Sequence, residues 1–135
     1  MASITDLRIG IANNLATIAG LRTGATIPDN INPPFATVSP TSVDYHKAFN
    51  NGLTTYNFTI TIIVGRASER TAQNTLDAYC SSTGSLSVKN AIESDRTLNG
   101  EAYSLIVTSM RNYGSLTIGE TVYLAAEFDL AVQAD

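Results

Sequence analysis

The chain has 135 residues, ordinary apolar content, few charges and a net charge of −4. That length supports one domain with a real core, and the scattered basic residues exclude the clustered basic footprint of tight nucleic-acid binding. No apolar run is long enough to span a bilayer, and Asp6 and Arg8 sit in an amphipathic opening unlike a secretory leader, so neither membrane insertion nor secretion is expected.

Residues 3–19 read as a helix. Ser3 can cap it, with Asp6 three positions on in the manner of a capping box, and Gly20 supplies a stop. Ile4, Leu7, Ile11, Leu15 and Ile18 form one stripe, and Ile9 lies off it. Residues 21–34 are irregular and hold three of the four prolines, Pro28, Pro33 and Pro34. Such a segment is either a rigid surface loop or a partner-docking arm; because a stiff exposed segment loses little entropy on docking, these prolines are expected to lie against a neighbour. A short strand over 35–39 should end at Pro40. Residues 45–49 are ambiguous, and Asn51-Gly52 is a tight-turn pair.

The centre of the chain is the strand near 55–64. Tyr56, Phe58, Ile60, Ile62 and Val64 share one face, and Asn57, Thr59 and Thr61 the other. Gly65 should break it, and Ser68 should cap a following helix with Glu69 in its first turn. Ala72, Leu76, Tyr79 and Cys80 give that helix one apolar face. After Gly84 and Ser85, Leu86, Val88 and Ile92 predict a second short helix ending near Asp95, and Asn99-Gly100 predicts a turn. Residues 102–111 alternate again, with Tyr103, Leu105 and Val107 on one side. Residues 122–132 form the cleanest strand. Val122, Leu124, Ala126, Phe128, Leu130 and Val132 should point inward, and Tyr123, Glu127 and Asp129 outward. The glycine-containing connection 112–119 makes the last two strands a hairpin. The expected fold is therefore α+β, a mixed or antiparallel sheet of about four strands with an N-terminal helix and a central helical pair packed on it.

Catalytic signals are sparse. His46 and Cys80 are the sole residues of their kinds, too few for a His/Cys metal site, and no cofactor loop is present. His46 could serve Ser68 as a base, but no GxSxG elbow exists, and Cys80 on an apolar face reads as a core residue. The Gly65-Arg66-Ala67-Ser68 turn lies where phosphates bind in nucleotide enzymes, without either glycine-rich motif. Glu127 and Asp129, two apart on one strand face, admit three readings: acid–base or metal work, a plain solvated face, or a deliberately acidic surface or one paired with arginines of a neighbouring subunit.

The blocks ATIPDNINPP (25–34), TITIIVGRASERTAQNTLDAY (59–79), SVKNAIESDRTLNG (87–100), SMRNYGSLTIG (109–119) and YLAAEFDLAV (123–132) resemble small tail proteins of long-tailed actinobacterial phages. The likeness is to tail terminators, which cap the tail tube and join it to the head-side connector; neighbouring neck proteins share the pattern. The resemblance implies a non-enzymatic virion protein without cofactor or metal, in a ring, usually of six copies, around a channel that DNA crosses without specific binding. Its implied partners are other copies of itself, the tail tube protein and the head-side connector protein. On that reading Arg66, Arg70 and Arg111, near turns and a hairpin tip, should contact neighbouring subunits or the connector, and Glu127 or Asp129 should face the channel. The alternative class is a small enzymatic or ligand-binding α+β domain.

Overall fold

The computed structural model describes residues 4–18, 21–24, 34–44, 54–66, 71–98, 100, 102–118 and 120–134. The elements run α1 (Ile4–Leu15), β1 (Arg22–Gly24), β2 (Phe35–Asp44), β3 (Thr54–Arg66), α2 (Ala72–Cys80), α3 (Val88–Glu93), β4 (Ser104–Ile118) and β5 (Thr121–Ala134). The class is α+β, with five strands where about four were expected. Their order is β1-β2-β3-β5-β4. β1 runs parallel to β2, and every other pair is antiparallel.

The three helices share one core with one face of the sheet. Leu7, Ile11 and Leu15 from α1, Leu76 and Tyr79 from α2, and Val88 and Ile92 from α3 close over Phe58, Ile60, Ile62, Phe128, Leu130 and Val132. These strand residues are the stripes that period-two alternation assigns to the interior. Burying such side chains is the main favourable term of folding, about 1.5 to 3 kcal/mol each.

Local differences from expectation have physical causes. The predicted first helix stops at Leu15, because the Thr17 hydroxyl and amide both bond to the Asn14 carbonyl (2.7 and 3.2 Å), tightening the chain into a turn. Pro40 does not end β2. The strand continues to Asp44 with a register shift between Pro40 and Ser42, and β1 accompanies it only as far as Thr37, so Pro40 lies beyond that pairing. Gly65 does not break β3 either, which runs on to Arg66 through a shift between Ile63 and Gly65.

The N-cap of α2 is Thr71, which makes no side-chain cap bond, so the cap expected at Ser68 is displaced. Ser87 caps α3 instead, accepting from the Asn90 amide at 3.1 Å while donating to the Ser81 carbonyl at 2.6 Å. Ile4, Tyr103 and Val122, expected to point inward, are exposed; Tyr103 precedes β4, and Val122 lies beside the β4–β5 turn. Ile9, off the α1 stripe, is exposed as well. The Tyr45–Phe49 stretch, His46, the Asn51-Gly52 pair, Pro28, Pro33, Ser68, Glu69 and Arg70 lie outside the described residues.

Candidate functional site

The helices leave the other face of the sheet to a polar cluster. Alternation along β5 sends Glu127 and Asp129 there, and both remain about 30 % exposed (29 % and 31 %). Register then fixes their neighbours. β3 sets Thr61 beside Glu127 and Thr59 beside Asp129. β4 sets Arg111 beside Glu127 and Ser109 beside Asp129.

Asp129 accepts from four donor groups. Arg111 approaches through Nε at 2.7 Å and Nη2 at 3.3 Å, Thr59 Oγ1 donates at 3.1 Å, and Ser109 Oγ at 3.3 Å. Arg111 Nη1 also lies 3.8 Å from Glu127, and Asn112 Nδ2 donates to the same Glu127 oxygen. The hydrogen bond from Arg111 holds the Asp129 carboxyl below the usual carboxylate range despite partial burial, with Thr59 and Ser109 adding to it. The bond to Asp129 in turn raises the Arg111 pKa.

Residue identities and geometry therefore bring Arg111, Glu127 and Asp129, three of the sequence-predicted site residues, into one cluster. The arginine paired with the carboxylates belongs to the same chain. Asp129 has its lone pairs engaged and its pKa lowered, the opposite of what a general base near neutrality needs. The group is a latch that pins β4 to the rest of the sheet. Replacing Asp129 by Asn should cost about 1 kcal/mol at neutral pH, as for a half-screened pair. Because the folded pKa is depressed, this contribution is present above the ordinary Asp value of 3.8 and is lost as pH falls through the lower folded value. Urea unfolding of both proteins should thus show a gap at pH 7 that closes below about pH 4; a gap independent of pH would refute the ionic latch.

Beside the latch, a cleft of about 540 Å³ opens among Thr61, Asn112, Tyr113, Gly114, Leu116 and Glu127. A register shift between Arg111 and Gly114 shapes it, with Asn112 in the left-handed region (φ 55°), which asparagine tolerates better than most residues. Tyr113, within that register shift of β4, donates its hydroxyl proton to Asp77 of α2, tying the hairpin to the helical layer.

Of the eight exposed large hydrophobic residues among those described, six lie at 103–122: Tyr103, Ile106, Met110, Tyr113, Leu116 and Val122. The expectation that Cys80 is a packing residue agrees with its half-buried place against the core. Burial, helped by the Asp77 charge, pushes its thiol up to about 11, so it is protonated at neutral pH.

Pro34 is the one residue of the proline trio within the described range, and its carbonyl accepts from the Arg22 amide at 3.1 Å, next to the β1–β2 pairing. Arg66 ends β3, across from Tyr123 in the register. Sequence reasoning missed Asn14, whose side chain bridges two helices, and Glu93, whose carboxylate reaches a strand amide. The Lys89-to-Glu93 spacing was the one available signal for the latter. Among the described residues no group of three or more His, Cys, Asp or Glu side chains could hold a metal ion, and no helix is long and apolar enough to cross a membrane. Compared with known proteins, the chain matches no family model and no curated protein.

Proposed function

We propose that the chain is a structural subunit of a phage tail, a terminator that caps the tail tube as a homo-oligomeric ring and joins it to the head-side connector. The resemblance of its sequence blocks to tail terminators supports that reading. The observation that carries a partner-binding role is the concentration, among the described residues, of exposed apolar side chains on one hairpin, β4–β5. Closed symmetry would give such a surface a finite assembly, since a head-to-tail contact that closes avoids open-ended growth.

In this reading the segment carrying Pro28, Pro33 and Pro34 docks on a neighbouring subunit, and Arg66 and Arg70 contact a neighbour or the connector. Arg111 is reassigned to the internal latch, on which it is already spent. The latch face, two carboxylates against one guanidinium, retains a net negative charge, as suits a channel wall past which DNA moves without sticking. The virion, and the host cell during assembly, is the proposed location.

The test is Met110→Glu combined with Leu116→Glu, two exposed positions whose change should leave the fold intact. Tails assembled with this variant should lose the discrete cross-linked ring and fail to join heads, while its unfolding free energy from urea titration stays within about 0.5 kcal/mol of the parent. Normal ring formation and head joining by the variant would overturn the proposal.

A further inference from the structure

The cleft beside the latch is lined by acceptors that nothing uses. Glu127 takes the Asn112 amide through Oε1, the same oxygen that faces Arg111 Nη1 at 3.8 Å. Its other oxygen, Oε2, has no partner among the described residues. Asn112 turns its Nδ2 toward the carboxylate, so its own Oδ1 points elsewhere, and it too accepts nothing. Thr61, the register neighbour of Glu127 on β3, has a hydroxyl without a hydrogen bond. Three idle acceptors thus sit on three adjacent side chains that line one cleft, with Leu116, Ala125 and Tyr113 supplying apolar surface beside them.

The charge balance there calls for a cation. Arg111 gives its two close bonds, at 2.7 and 3.3 Å, to Asp129, so Glu127 is the carboxylate whose charge is left over. Arg111 itself is not among the residues lining the cleft. The next cation along the sheet, Arg66, stands opposite Tyr123, four residues before Glu127 on β5, which is about 13 Å at the rise of a strand. Asp77, at the far end of the Tyr113 hydroxyl, adds a negative charge on that side.

We propose that this cleft receives the side chain of a lysine carried by the protein that docks on the β4–β5 hairpin. An ammonium brings three donors and no acceptor, the complement of Glu127 Oε2, Asn112 Oδ1 and Thr61 Oγ1. Its alkyl stem lies against Leu116 and Tyr113, as the stems of long cationic side chains do on apolar surface. Arginine is the poorer match. Its planar fork needs both oxygens of one carboxylate, and Asn112 already holds one of those of Glu127. The inference rests on the partner-binding role of the hairpin, to which Leu116 belongs, and not on the identity of the tail.

The probe is Nα-acetyl-lysine methylamide, titrated into the full isotopically labelled chain and followed by nuclear magnetic resonance. The amides of Thr61, Gly114 and Glu127 should shift together and saturate in the millimolar range. Glu127→Gln should weaken this binding about fivefold, the factor for one exposed ion pair. Thr61→Val, which leaves the latch untouched, should weaken it about threefold, and keeps the test open if Glu127→Gln disturbs the sheet. The norleucine analogue, which has the stem without the charge, should bind at least about fivefold more weakly, and the arginine analogue should also bind more weakly. Butylammonium should bind no better than the blocked lysine. The titration uses the isolated chain, so its failure strikes this inference, whereas Met110→Glu with Leu116→Glu decides the role of the hairpin. Equal binding of the norleucine or arginine analogue, tighter binding of butylammonium, or an affinity unchanged in both folded variants overturns the lysine site.

Discussion

Phe58→Ala is expected to lower the stability of this protein by about 3 to 5 kcal/mol, the range for deleting a fully buried ring. Phe58 is 1 % exposed and lies on β3, the strand that β2 flanks on one side and β5 on the other. Its register partners are Pro40 on β2 and Leu130 on β5, and Leu130 is equally buried. The hole cannot be closed by moving one element, because β3 is held by ladders on both sides. For a chain of this length the whole stability is roughly 7 to 20 kcal/mol, so the loss is a large fraction of it. Urea unfolding followed by far-ultraviolet circular dichroism measures it. Phe58→Leu, which refills most of the volume, should recover more than half of the loss. A loss below about 1 kcal/mol for Phe58→Ala would mean the site collapses freely and that β3 is not the rigid centre of the core.

That β3 and β5 carry the core was legible from alternation alone. Both strands are long, and both present an unbroken row of apolar residues at every second position, a pattern no helix shares. β1 was not legible. Three residues, Arg22-Thr23-Gly24, contain too few positions to show a period, and they are strand only because β2 lies alongside to accept them. The start of α2 was misplaced because Ser68 offers a capping side chain, whereas the helix starts four residues later at Ala72 without one.

The polar site was half legible, and the missing half has a geometric cause. Glu127 and Asp129 follow the phase of β5 and were placed correctly on the outer face. Continuing the alternation of Leu105 and Val107 along β4 would instead put Ser109 and Arg111 inside. The register shift between Val107 and Ser109 inserts Thr108 as an extra residue and turns both outward, opposite the carboxylates. One inserted residue therefore decides whether Arg111 is a surface arginine awaiting a partner or half of an internal ion pair. Nothing in the composition of that segment announces the bulge. The contact of Glu93 with β4 was hidden for a related reason: its strand partner, Val107, is 14 residues away and meets it only once α3 and β4 are packed.

Asn14 offers the second large test, because it does for α3 what the sequence of α3 does not. The last carbonyls of a helix lack intrahelical donors, and a polar side chain from elsewhere can satisfy them. Asn14 is buried on α1 at a position between Ile11 and Leu15, inside the apolar stripe. Its Nδ2 donates to the Ile92 carbonyl at 3.1 Å and to the Asp95 carbonyl at 3.0 Å, joining α1 to the end of α3. The same interface is close-packed one turn earlier, where a Cβ built on Gly10 would stand 3.0 Å from the Leu98 Cβ, so water has little room to replace the lost donor. Asn14→Ala should therefore cost about 1 to 3 kcal/mol, chiefly from the buried Ile92 carbonyl that loses this donor, since the Asp95 carbonyl keeps the Leu98 amide at 3.3 Å. Asn14→Asp should be worse at pH 7, since a carboxylate would face two carbonyl oxygens, and should recover in acid as it protonates and regains a donor. Asn14→Leu, similar in volume but without a donor, separates packing from hydrogen bonding. If Asn14→Leu is as stable as the parent protein, Asn14 is a space-filling residue and the bridge between α1 and α3 rests on apolar contact alone.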